Sequence, residues 1–150
     1  MSDINTMADA EKALDNVTAL IEKLSLVLEE EMVLIHAGRM RHALVLGETK
    51  SALAGELYAG GERLKRNAKF LLQAAPARCT ALQRVQEKFR AIMQKNMIVL
   101  ATAHAVSEGI MRRLSSDLAR TASPQVYGAT GRQTAPNPKN SRPLAVSRTL

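Results

Sequence analysis

The sequence predicts an all-α protein, an elongated antiparallel helical hairpin or three-helix coiled-coil-like bundle with a disordered basic C-terminal tail. Three observations carry the prediction. Apolar residues recur in alternating steps of three and four, the spacing that holds side chains on one helical face. The composition is aliphatic, with no Trp and 3% aromatic residues, so long helices zipped through Leu, Ile, Val, Ala and Met are easier to build than a wide core. After Ala122 the character changes, and residues 123–150 hold four of the five prolines, four bases and no acid. The bundle is therefore assigned to 1–122 and the tail to 123–150, which lacks the apolar mass to offset the entropy of ordering.

The first helix is expected over 7–58. Met7, Ala10, Leu14, Val17, Ile21, Leu24 and Leu28 form a heptad seam, and Ala13, Leu20, Val27 and Leu34 add a second stripe beside it. A face this wide suits a helix with two neighbours. The seam falters at Glu31 and Gly38 and resumes loosely through Leu46, Lys50, Leu53 and Leu57. Gly60-Gly61 is the expected stop, because each Gly costs a helix interior about 1 kcal/mol relative to Ala.

A short helix follows over 62–75, closed by Pro76, which pushes the residue before it out of helical geometry. The last helix is expected over 80–121, with a regular seam at Leu82, Val85, Phe89, Ile92, Asn96, Val99, Ala103, Val106 and Ile110. At about 1.5 Å per residue the two long helices measure roughly 78 and 63 Å and fit side by side as an antiparallel pair. Asn96 occupies a seam position, where it either fixes register or marks a wet stretch of the interface.

Chemistry is sparse. His36 and His42 stand six residues apart and fall in no HExxH pattern, and no Gly-rich phosphate loop is present, so neither a metal nor another cofactor is expected. Cys79, the single cysteine, excludes an internal disulfide and fits a reducing compartment. Glu29, Glu30 and Glu31 are consecutive, and consecutive helical residues point in different directions, which argues against paired acid–base catalysis. No enzyme is expected. The start of the chain lacks a basic leader region, and the longest mostly apolar run, 97–106, falls short of the roughly 20 residues a bilayer span needs, which points to the cytoplasm without membrane insertion.

The net charge of +7 conceals an asymmetry: residues 1–60 carry ten acids and five bases, and residues 61–150 carry four acids and sixteen bases. Two mismatched halves folded together explain much of it. The basic half would also suit nucleic acid, but Arg63, Lys65, Arg66 and Lys69 have almost no interleaved aromatics for base stacking, so nucleic acid is not the expected partner.

A surplus apolar stripe runs beside the last seam: Met93, Met97, Leu100, His104 and Met111, then Leu114 and Leu118. Residues 93–100 are expected to pack on the short second helix. Met111, Leu114 and Leu118 lie beyond its expected reach, and flexible methionines suit an external amphipathic helix.

Taken in order, Glu30, Leu34, Lys50, Leu53 and Leu57, then the run "NMIVL" at 96–100, then Tyr127, Gly128 and Gly131, resemble the FlgN family of flagellar export chaperones. The resemblance covers most of 10–131; the Gly60-Gly61 pair and the lack of an acid near Gly38-Arg39 depart from it. It implies a cytoplasmic chaperone of flagellar type III export that binds the C-terminal helical segments of hook-associated proteins 1 and 3, the hook–filament junction proteins. It prevents their premature assembly and delivers them to the flagellar export apparatus. The implied contacts are at the C-terminal region: Met111, Leu114 and Leu118 supply apolar area, and Val126 and Tyr127 fold over the guest, with Gly128 and Gly131 letting the chain turn. Tyr127 otherwise caps the protein's own last helix. The alternatives are a self-associating coiled-coil scaffold, forming a homodimer through the 7–28 seam, and a basic nucleic-acid-binding helical module.

Overall fold

The computed structural model describes residues 4–122. Among them four α-helices follow one another: α1 (Met7–His36), α2 (Met40–Arg66), α3 (Ala68–Ala74) and α4 (Pro76–Ala122). The chain is all-α, as its periodicity requires. It divides into two compact units, 1–105 and 106–150, and the boundary falls inside α4 rather than at the expected end of the bundle at 122. The tail, with Val126, Tyr127, Gly128 and Gly131, lies outside the described residues.

Thr6 opens α1. Its Oγ1 accepts from the Asp9 backbone N–H at 3.1 Å and donates to the Asp9 carboxylate at 2.7 Å, satisfying one otherwise unpaired donor. The Asp9 charge also complements the positive end of the helix dipole. Of the expected seam, Ala10, Leu14, Val17, Ile21, Leu24 and Leu28 are buried, with Ala13 of the second stripe. Met7 is exposed. It is the first helical residue, and Ile4, ahead of the cap, joins the core cluster instead.

The first break comes at Gly38 and not at Gly60-Gly61. Gly38 adopts φ 70°, the left-handed conformation that glycine enters without a Cβ penalty. The Gly38 N–H donates to Ile35 O at 3.0 Å and the Arg39 N–H donates to Leu34 O at 2.8 Å, the paired bonds of a Schellman termination. The expected helix over 7–58 is thus two helices.

Through Gly60 and Gly61 α2 continues to Arg66, because packing outweighs their poor propensity. A Cβ on Gly60 would stand 2.9 Å from Val17 Cγ2, so glycine lets α2 approach α1 closely. A Cβ on Gly61 would meet nothing within 4 Å. The neighbours should therefore respond in opposite directions. Gly61→Ala should raise stability by about 1 kcal/mol through propensity alone. Gly60→Ala should lower it by about 1 kcal/mol, since overpacking against a stiff β-branched side chain exceeds the propensity gain. Urea midpoints of the two variants and the parent check both signs.

The short helix is α3, seven residues long, and residues 62–66 belong to α2 rather than to it. Asn67 breaks the two apart, its Nδ2 donating to Arg63 O at 2.9 Å. Ala75, pushed out of helical geometry ahead of Pro76, ends α3. Proline itself then begins α4, four residues before the expected start at 80, because its fixed φ and missing N–H suit the first helical position.

Within residues 1–105 the helices run up, down and up. Lys50 meets Glu31, and Gly60 approaches Val17, so α2 is antiparallel to α1. Arg78 pairs with Asp15 at 3.1 Å and Asn96 bonds Leu28 O, so α4 runs parallel to α1. The antiparallel pairing expected between the 7–28 and 82–110 seams is corrected by the turn at Gly38, which inserts a reversed helix between them. The core joins Leu14, Val17 and Ile21 of α1 to Leu71 of α3 and Leu82 of α4.

Candidate functional site

Three features outside the plain apolar packing deserve a functional test. The first is polar and central. Glu31 of α1 is buried, its Oε1 accepting from Lys50 Nζ of α2 at 2.6 Å and its Oε2 accepting from Asn96 Nδ2 of α4 at 2.7 Å. Asn96, 3% exposed, also donates to Leu28 O at 3.3 Å. One carboxylate thus ties three helices together, and among the described residues no buried side-chain N or O lacks a partner. Asn96 is a buried interhelical bond, not a wet stretch of seam, and it is suited to fix register. The residue in this contact is Glu31, whereas the family-like position Glu30 lies on the exposed face with Glu29.

Glu31, Lys50 and Asn96 are each a polar interruption of an apolar seam, one per helix. Their meeting was encoded in those interruptions, but periodicity alone does not say which interruptions face one another.

The second feature is a groove of about 550 Å³ within residues 1–105. Val17 and Ile21 of α1 line its floor, Leu57 and Leu64 of α2 one wall, and Leu82 and Phe89 of α4 the other. Gly61 adds to its width, since no side chain projects there. The charged residues lining it are Lys65 on the α2 side and Arg90 on the α4 side. Sequence reasoning missed this groove because it depends on how far apart α2 and α4 stand over α1. Met93 of the surplus stripe reaches its edge, while Met97 and Leu100 are exposed and do not pack on the short helix as expected. That helix is only seven residues long and sits beside the first turn of α4, with Cys79 Sγ donating to Leu71 O at 3.5 Å.

The third feature belongs to the other unit. On residues 106–122 of α4, Val106, Ile110, Met111, Leu114 and Leu118 are between 46% and 59% exposed. Met111, Leu114 and Leu118 share one side by their spacing of three and four, and Val106 and Ile110, expected in the packed seam, are exposed too. Arg112 on the same stretch pairs with Glu108 at 3.8 Å on the surface, a weak contact at this exposure.

Among the described residues no cluster of His, Cys, Asp and Glu could hold a metal ion, and no helix is long and apolar enough to cross a membrane. Neither a protein-family model, nor a curated protein, nor a solved structure matches this chain.

Proposed function

We propose that this protein is a cytoplasmic chaperone of flagellar type III export, similar to the FlgN family, that binds the C-terminal helical segments of hook-associated proteins 1 and 3. The observation that carries the reading is the apolar side chains of Met111, Leu114 and Leu118, left open to solvent on the stretch of α4 that precedes the Tyr-Gly residues in sequence. Isolated exposed apolar residues are common, but three on one helical face form the i, i+3, i+7 anchors of a helix-in-groove contact. A guest helix lies along that face, keeps its own apolar stripe out of water, and is released to the export apparatus. Val126 and Tyr127 close over it. A homodimer through the 7–28 seam is disfavoured, since Ala10, Leu14, Val17 and Ile21 already pack inside the chain.

The test is a calorimetric titration of the full chain with C-terminal peptides of both junction proteins. The parent should bind at micromolar concentration or tighter. Leu114→Ser with Leu118→Ser should weaken binding by about tenfold or more, as removal of central apolar anchors does. Tyr127→Ala, and truncation after Ala122, should weaken it further if the tail closes over the guest. Binding untouched by all of these moves the guest off this face, and no binding to either peptide removes the export reading.

A further inference from the structure

The groove in residues 1–105 is not used by the function proposed above, and its chemistry is different from that of the stripe on residues 106–122. We infer that it is a docking site for an acidic amphipathic helix of a partner protein. Cys79 and Met93 line opposite ends of its α4 wall, fourteen residues apart in sequence, so the trough is about 21 Å long at 1.5 Å per residue, about four turns of a guest helix. Its floor, Leu14, Val17 and Ile21, is buried and apolar, and its walls are mostly apolar, with Gln83 and Gln86 the uncharged polar side chains on the α4 side. A helix laid there completes a four-helix arrangement of the kind apolar faces of bundles favour.

Charge selects the occupant. Lys65 and Arg90 put a cation on each rim, and the segment 61–93, which supplies most of the lining, carries eight bases (Arg63, Lys65, Arg66, Lys69, Arg78, Arg84, Lys88 and Arg90) against two acids, Glu62 and Glu87. Arg78 pairs with Asp15, and Lys65 reaches Glu62 at 3.7 Å in an exposed, weak pair. A guest with an apolar stripe flanked on both sides by Asp or Glu meets the walls and both rims together. The chain's own tail is a poor occupant, since residues 123–150 hold four bases and no acid. Rim charges of this kind govern association rate and selectivity more than the final affinity.

Gly61 provides a clean probe. A Cβ added there meets nothing within 4 Å and Gly61 lines the groove, so Gly61→Leu puts its side chain into the trough. The full-length protein is titrated by fluorescence anisotropy, at low and at high salt, with two synthetic helical peptides of about 18 residues, long enough to hold helical structure. One carries a Leu stripe flanked by Glu and the other the same stripe flanked by Lys. A third peptide reproduces residues 123–150. The Leu/Glu peptide should bind, weaken with salt, and lose about tenfold or more in affinity both in Gly61→Leu and in the double charge reversal Lys65→Glu with Arg90→Glu. Circular dichroism verifies that each variant stays folded. Equal binding of the two Leu-rich peptides, or affinity unchanged in Gly61→Leu, overturns the assignment. So does tighter binding of the tail peptide, or a dimer in sedimentation equilibrium that Gly61→Leu dissolves, because the groove would then belong to this chain. Leu114→Ser with Leu118→Ser should leave Leu/Glu binding intact, so failure here is distinct from failure of the export reading.

Discussion

Lys50→Met should destabilise the bundle by about 2 kcal/mol, with the loss read from the denaturant midpoint. The Glu31 side chain is 6% exposed and Lys50 Nζ lies 2.6 Å from Oε1. Removing the cation leaves a buried carboxylate with Asn96 as its remaining bonded partner, and breaking a buried pair from one side costs about 3–5 kcal/mol in dry interiors. Lys50 itself is 30% exposed on its side chain, so water reaches part of the site and the cost falls below that range. Asn96→Ala should cost about 1–3 kcal/mol by a related route, since Glu31 Oε2 and Leu28 O both lose a buried donor.

Replacing all three polar residues together, Glu31→Met with Lys50→Met and Asn96→Leu, should recover most of that loss, because an apolar substitute of similar size removes the desolvation cost as well as the attraction. The expected price is specificity. With no polar knot, α4 can slide by a heptad along α1, and amide resonances of the triple variant should broaden or double where the parent gives one set. A triple variant less stable than Lys50→Met alone would mean that the network contributes net stability and not only register.

Leu14→Ala should be the most damaging single truncation, at about 3 kcal/mol within the 2–5 kcal/mol span of buried Leu→Ala changes. Leu14 is 2% exposed and belongs to the cluster that joins α1 to α3 and α4. A helix held on two sides cannot collapse into the void from either without leaving the other, so relaxation recovers little. For an ordered region of this size the loss corresponds to a fall in Tm of roughly 10 °C or more. Met7→Ala provides the contrast. Met7 shares the seven-residue register of Leu14 but is exposed, and the change should stay within about 0.5 kcal/mol. Thermal melts of the two variants separate buried seam from exposed seam.

Much of the fold was legible in the sequence. The seam from Ala10 to Leu28 and that from Leu82 to Ala103 are the inner faces of α1 and α4, because apolar period translates directly into a helical face. Pro76 as a boundary was legible because its backbone restriction is local. The exposed residues Met111, Leu114 and Leu118 were legible as surplus, since their stripe exceeds what the seam uses.

What tertiary structure alone decided is which glycines break the chain, in which direction the helices run, and where open space is left. Gly38 ends a helix and Gly60 does not, although local propensity ranks the adjacent pair as the stronger stop. The difference is Val17, far away in sequence, against which Gly60 packs and which repays its conformational cost. The same displacement of the turn makes α1 and α4 parallel, brings Glu31, Lys50 and Asn96 to one point, and sets α2 and α4 apart over α1 to leave a groove. A periodic pattern states which face of each helix avoids water. It carries no information on which neighbour covers that face, because burial is non-directional and only close packing between particular side chains chooses the partner.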